Sequence, residues 1–318
     1  MTQETLVTRA VITAAGHGTR QYPATATIQK EMIPLVDRDG ICKPTIQLIV
    51  EEALESGIEQ ICIVVAPGGE VTFRQHFREL SPEERPAYEG KEFALQQSEL
   101  LGRMREAISY AVQQTQEGYG HAVYCARECV GDEPFLLMLG DHIYISHEER
   151  RCARQLLDVF EQHGCPVSGV AHTAASQLHA FGTVAGQPLA EDPGVYEARA
   201  IYEKPTPEHA RQHLRTPGLP EETYLCFLGM HVFTPAIFDC LEEHIRANVR
   251  DRGEIQLTSA QELLRTRGRY LAAEVRGSRH DMGNPEGLIE AQMALAMQSP
   301  FAERAQRTLR QAIEKQPP

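Results

Sequence analysis

The sequence predicts an α/β fold: a Rossmann-like mixed, mostly parallel sheet flanked by helices and followed by C-terminal helices. Three observations predict it. Apolar runs at residues 11–15, 60–65 and 135–139 have the length and continuity of central strands buried on both faces. Between the first two, Ile46, Ile49, Val50 and Ala53 recur at helical spacing, so residues 45–56 read as an amphipathic crossover helix ended by Gly57. Strand-like and helix-like segments then keep alternating, which is the pattern of a sheet with helices on its faces.

The remaining elements follow in order. Residues 66–91, with Pro67-Gly68-Gly69 and a charged run at 81–85, read as a loop with short helices. A helix is expected over 148–163 and a strand over 167–171. Residues 186–195 form a Pro/Gly/acid turn between two strands, the second of which runs over 198–202 and is closed by Glu203-Lys204-Pro205. Beyond Asn284 the apolar positions Leu288, Ile289, Met293, Leu295 and Met297 keep roughly helical spacing. Ser299-Pro300 starts a last amphipathic helix, and residues 316–318 read as a frayed end. The chain divides on this reading into an α/β domain, residues 1–283, and a C-terminal helical extension, residues 284–318.

A chain of 318 residues can bury a substantial core. Its formal net charge of −13, from 31 basic and 44 acidic side chains, argues against a nucleic-acid partner, because phosphate-backbone binding needs a concentrated positive face. No apolar run is long enough to cross a bilayer and residues 1–9 are polar, so no membrane partner and a cytoplasmic location are expected. The eight cysteines show no C-x-x-C pair or zinc spacing and read as reduced packing thiols.

The densest chemistry lies at residues 13–35, where an apolar strand meets a Gly-rich loop and then two spaced cations. Gly16 and Gly18 let backbone N–H groups approach phosphate oxygens, and Arg20 and Lys30 bring positive charge to the same sheet edge, a combination suited to a nucleoside triphosphate. Two commoner Gly-loop readings fail. The dinucleotide fingerprint needs a third glycine where Gln21 stands, and no Walker Gly-Lys-Ser/Thr is present.

The string G-x-G-T-R, then P-A-T and K-E-M-x-P-L, resembles the sugar-1-phosphate nucleotidylyltransferases, most closely the bacterial UTP–glucose-1-phosphate uridylyltransferases. Later blocks agree in order: Gln113 with Gly118-Tyr119-Gly120-His121, Leu139-Gly140-Asp141, Phe181-Gly182, Glu203-Lys204-Pro205, Gly253-Glu254-Ile255-Gln256-Leu257-Thr258 and His280-Asp281-Met282-Gly283-Asn284. The resemblance spans residues 8–298. It implies the nucleotide-diphospho-sugar transferase fold and Mg2+-assisted transfer of a uridylyl group from UTP to glucose 1-phosphate.

By resemblance, Arg20, Lys30 and Asp141 are catalytic, and Ala15, Gly16, Gly18, Gln113, Gly118 and His121 bind the nucleotide. Gly182, Glu203 and Lys204 hold the sugar phosphate, and Asp141 and Asp281 hold Mg2+, whose preference for oxygen ligands suits carboxylates. Gln113 carries both a donor and an acceptor for the uracil edge, but thymine presents the same edge, so dTTP stays open. His17 and His121 read as orienting or packing residues, since the attacking phosphate oxygen is already anionic. Glu254 is a further candidate for the sugar pocket. The chain departs from the bacterial pattern at Ala26, where a lysine is usual, at Gln29 in place of proline, at Ser259 in place of aspartate, and by an insertion at residues 38–42. A sister nucleotidylyltransferase and a non-catalytic sugar-nucleotide-binding regulator are the alternatives, and retention of Arg20, Lys30, Asp141, Lys204 and Asp281 together counts against the regulator. A homodimer or homotetramer through the C-terminal helices is expected.

Overall fold

The run Arg9–Ala14 forms β1, the strand around which the other elements are arranged in this computed structural model, which describes residues 6–315. The hairpin β2 (Pro34–Val36) and β3 (Cys42–Pro44) precedes helix α1 (Thr45–Leu54), and β4 (Gln60–Val65) follows. Next come α2 (Glu70–His76), α3 (Glu92–Ala107), β5 (Ile108–Val112), α4 (Tyr119–Tyr124), α5 (Arg127–Val130), β6 (Phe135–Leu139) and β7 (His142–Ser146). The middle of the chain supplies α6 (Cys152–His163), β8 (Val167–Ala174), β9 (Gly182–Pro188), β10 (Val195–Glu203), α7 (Pro207–His213) and β11 (Thr223–Phe233). The last part gives α8 (Ala236–Arg246), α9 (Leu257–Arg267), β12 (Leu271–Glu274), β13 (Gly277–Asp281), α10 (Pro285–Gln298) and α11 (Ala302–Glu314).

Nine strands form one mixed sheet in the order β5-β4-β1-β6-β11-β8-β12-β10-β9. Its first four strands are parallel, with β1 between β4 and β6, while β11 joins β6 antiparallel and opens the second half. Alternation along each strand feeds two cores. Ala10, Ile12 and Ala14 face α1 and α6, whereas Val11 faces α4, α8 and α9 through Val123, Phe238 and Leu257. Burial on both faces is why these strands read as continuous apolar runs.

The expected strands at 60–65 and 135–139 are present at those limits. The helix expected over 148–163 starts only at Cys152. Ser146 Oγ donates to the Arg150 carbonyl at 2.5 Å and accepts from Glu148 N at 3.1 Å, so a side chain takes the bonds that a first helical turn would use. The Gly118–His121 segment opens α4. Gly120 N donates to the Ile255 carbonyl at 2.9 Å, and a Cβ on Gly118 would stand 2.7 Å from that same oxygen. The frayed end at 316–318 lies outside the described residues.

Residues 37–41 turn the β2–β3 hairpin, whose Lys43 is buried against Asp37, Asp39 and Glu51 at 2.8, 2.7 and 2.9 Å. Helix α10 is capped by Asn284, whose Oδ1 accepts from Gly287 N at 2.8 Å, and it sends Ala291 and Leu295 into the core. Among the described residues no helix is long and apolar enough to cross a membrane. A Cβ on Gly287 would stand 2.0 Å from the Asp281 carbonyl oxygen, so this first turn of α10 has no room for a side chain against β13. We expect Gly287→Ala to lower stability by about 1–3 kcal/mol, seen as a drop in Tm. Gly268→Ala, on extended backbone facing open space, should stay within about 0.5 kcal/mol. Equal melting of the two variants would contradict the seating of α10 on the ribbon.

Candidate active site

The carboxyl ends of β1, β4 and β6 open onto one edge of the sheet, the usual ligand position in such folds. After β6 the chain passes β1 so closely that a Cβ on Gly140 would lie 2.7 Å from the Thr13 carbonyl oxygen, which accepts from Gly140 N at 2.9 Å. That crossing delivers Asp141 and then β7. Strand β7 pairs antiparallel with β13 in a register that sets His142 opposite Asp281, and Met282 N donates to the Asp141 carbonyl at 2.7 Å. Asp141, His142 and Asp281 therefore present ligand atoms within 4.8 Å of one another. Gly283 keeps the approach open, because a Cβ there would stand 2.5 Å from Asp141 Oδ2 and 2.7 Å from Arg20 Nη2.

Two cations offset this acidic group. Lys30 Nζ lies 2.5 Å from Asp141 Oδ2 and 3.6 Å from Glu31 Oε1, and Arg20 Nη1 lies 3.1 Å from Asp281 Oδ2. Burial by itself would push the Asp141 carboxyl up, but the hydrogen bond from His142 Nδ1 at 3.0 Å and the charge of Lys30 hold it well below the usual carboxylate range. Burial also works against the Lys30 ammonium, yet Asp141 and Glu31 raise it above its ordinary value. Glu31 behaves differently. It is fully buried with no hydrogen-bond partner for either oxygen, and burial outweighs the Lys30 charge to push it up to about 8.

The Gly loop folds around Lys30. A Cβ on Gly16 would meet Lys30 Nζ at 3.3 Å, and Gly18, at φ 64°, has Thr25 Cγ2 2.9 Å from where its Cβ would be. Ala15, Gly16, Ala26, Gln29, Lys30 and Pro67 line a cleft of about 300 Å³, so the start of the 66–91 loop adjoins the Gly loop. Exposed His17 lies on the same rim. Gln113 is buried behind this edge, its Nε2 donating to the Gly118 carbonyl at 3.1 Å and facing His121 Nδ1 at 3.2 Å. Gln116 donates to the Ala15 carbonyl.

A second group sits across the sheet. The β9–β10 register sets Gly182 opposite Glu203, and a Cβ on Gly182 would lie 3.1 Å from Glu203 Oε2. That oxygen accepts from Thr258 Oγ1 at 2.6 Å. Lys204 adopts φ 47°, an uncommon backbone state for a lysine, with its Nζ 3.6 Å from Glu203 Oε1. Its backbone N–H donates to the Phe181 carbonyl at 3.1 Å. Glu254 is exposed and bonds Gln256 Nε2 at 3.0 Å.

The sequence profile described as "Nucleotidyl transferase" matches residues 9–298. The chain belongs to the nucleotidyl transferase family. A UTP–glucose-1-phosphate uridylyltransferase of Bacillus subtilis (strain 168) is 38% identical over 297 residues, covering 92% of each chain. One from Staphylococcus epidermidis (strain ATCC 12228 / FDA PCI 1200) is 35% identical over 299 residues, covering 92% of this chain and 94% of the relative. Among solved structures, a UDP-glucose pyrophosphorylase complexed with UDP-glucose superposes with a TM-score of 0.73 at 30% identity, over 91% of this chain and 98% of that one. A UTP-bound enzyme from Acinetobacter baumannii shares the fold, with a TM-score of 0.76 at 24% identity over 98% of this chain and 100% of that one.

For a nucleotidyl transferase, the arrangement supplies two poles. Arg20, Lys30, Asp141 and Asp281 form one ion cluster, while Gly182, Glu203 and Lys204 form the other. Sequence reasoning missed Gly283, Thr258 and Glu31, which adjoin the two groups, although each stands inside a recognised block. The signal was a fully charged K-E pair beside apolar residues, which places one of the two inside the protein. A carboxyl whose folded pKa of about 8 exceeds the ordinary 4.5 holds its proton more tightly when folded, so its contribution to stability is present at acid pH and is lost as pH rises through 8. In metal-free protein, Glu31→Gln removes that loss. The Tm of Glu31→Gln relative to the parent should therefore climb between about pH 5 and about pH 8. A difference independent of pH would contradict a neutral Glu31.

Proposed function

We propose that the protein transfers a uridylyl group from UTP to glucose 1-phosphate, giving UDP-glucose and pyrophosphate. The observation that carries this reading is the pairing of Lys30 and Arg20 with Asp141 and Asp281 beside the Gly-loop cleft. The uridylyltransferase names of its relatives point the same way. An oxygen of the sugar phosphate attacks the α-phosphorus of UTP. One phosphorus–oxygen bond forms as the bond to the bridging oxygen breaks, and its electron pair leaves with pyrophosphate.

Two anions must meet, so catalysis rests on positioning and charge rather than on a protein nucleophile. In this reading Lys30 and Arg20 turn their charge toward the triphosphate and the departing pyrophosphate. Ala15, Gly16 and Gly18 present backbone to the phosphates. Gln113 has its amide nitrogen turned to the Gly118 carbonyl and His121 Nδ1, which leaves its carbonyl oxygen to accept from uracil N3–H. Gly118 and His121 hold that amide in place, Glu203 accepts from the hexose hydroxyls, and Lys204 neutralises the sugar's phosphate.

The donor set at Asp141, His142 and Asp281 fits a divalent cation, with two carboxylates to supply hard oxygen ligands. We assign Mg2+ to Asp141 and Asp281, where it would neutralise phosphate charge and orient the reacting oxygens. Eight unpaired cysteines support a cytoplasmic setting. We assign residues 1–283 to catalysis and 284–318 to an extension between copies in a homodimer or homotetramer. Exposed Met293, Phe301, Leu309 and Ile313 support the latter.

The thymine edge satisfies the same Gln113 acceptor, so dTTP is the competing nucleotide. Pyrophosphate release, measured with Mg2+ for UTP, dTTP, ATP, CTP and GTP against glucose, galactose and N-acetylglucosamine 1-phosphates, tests the assignment. Turnover should concentrate on UTP with glucose 1-phosphate. Preference for another pair, or nucleotide binding without turnover, would overturn it.

A further inference from the structure

Arg279 is a half-buried cation that the reaction described above does not use. Lys30, Lys43 and Arg151, comparably enclosed, each meet a carboxylate. Arg279 forms no ion pair among the described residues. Its guanidinium rests 4.2 Å from the centroid of the Phe181 ring and donates through Nη1 to the Phe227 carbonyl at 3.2 Å. Its Nε is sealed from solvent and has no hydrogen-bond partner. An enclosed guanidinium with donors to spare and no counter-charge is costly to keep without an anion to receive it.

Its place in the fold says which anion. Arg279 precedes Asp281 by two residues on β13, so both side chains emerge on the same face of the ribbon. Asp281 closes the carboxylate cluster at one end. At the other, Phe181, on which Arg279 stacks, precedes Gly182, and Phe227 Cδ2 lies 2.8 Å from where a Gly182 Cβ would be. Arg279 thus stands between the metal-ligand pole and the Gly182–Glu203 pole, the interval that a sugar phosphate oxygen must occupy to reach the α-phosphorus.

We propose that Arg279 binds the phosphate of the sugar 1-phosphate, leaving the Phe227 carbonyl to give that anion its planar donor edge while Lys204 approaches as a point charge. Both resting contacts are easily exchanged, one a single carbonyl bond and the other an aromatic face. The proposal rests on the uridylyltransferase reading.

The test is steady-state kinetics of the full-length parent, Arg279→Met and Arg279→Lys, with each substrate varied in turn, alongside calorimetric titration of glucose 1-phosphate and thermal melting. Arg279→Met should raise KM for glucose 1-phosphate at least tenfold and weaken its calorimetric binding to match. KM for UTP should stay within twofold and Tm should be unchanged, while Arg279→Lys recovers part of the loss. A folded Arg279→Met with KM for glucose 1-phosphate within twofold of the parent would overturn the proposal. So would a parallel rise in both KM values with a lowered Tm, which is the signature of a purely structural arginine. A parent inactive with UTP and glucose 1-phosphate would instead refute the uridylyltransferase reading. In that case unchanged calorimetric binding of glucose 1-phosphate by Arg279→Met would overturn this proposal separately, and weakened binding would sustain it.

Discussion

Two carboxylates that repel one another are fixed side by side by the backbone register of β7 against β13. Like charges about 4 Å apart near a protein surface cost on the order of 4 kcal/mol, so the chain must supply compensation wherever it makes such a pair. Lys30 and Arg20 supply it, and the close approaches at Gly16, Gly18, Gly140 and Gly283 all serve to bring backbone and cations within range. The mixed sheet exists around this arrangement. Its parallel half ends at the cleft, while β11 extends the sheet toward the strands that carry Gly182, Glu203 and Lys204.

The electrostatic consequence is a site balanced for exchange. Asp141 stays ionised because His142 and Lys30 outweigh its burial, whereas at the neighbouring Glu31 burial outweighs the Lys30 charge and favours the protonated form. One buried carboxyl is charged and the adjacent one neutral, which keeps a single ammonium sufficient at the cluster's centre. In the proposed reaction, incoming phosphates would draw Lys30 and Arg20 away from the carboxylates and leave Asp141 and Asp281 to a divalent cation.

Much of this was readable from the chain. Strands buried on both faces, such as residues 60–65 and 135–139, announce themselves as apolar runs, and the Gly57 stop after α1 has a local cause. Strand pairing does not. Nothing in the run Thr223–Phe233 says that it lies antiparallel to β6, because period-two alternation carries no information about a partner. The start of α6 was hidden for a related reason, since the Ser146 hydroxyl competes with the helix only once its loop is formed. The recognised blocks named Asp141 and Asp281 but not the ribbon that joins them, and they gave no hint that Arg279 would lack a carboxylate partner.

In the proposed reaction, Lys30 is a resident counter-charge on Asp141 that metal and phosphate displace. Equilibrium binding of Mn2+ to the nucleotide-free protein, followed by electron paramagnetic resonance for the parent and for Lys30→Met, tests it directly. Removing the ammonium should tighten Mn2+ binding, because the carboxylates then have one competitor fewer. Binding that is unchanged or weaker in Lys30→Met would contradict the account.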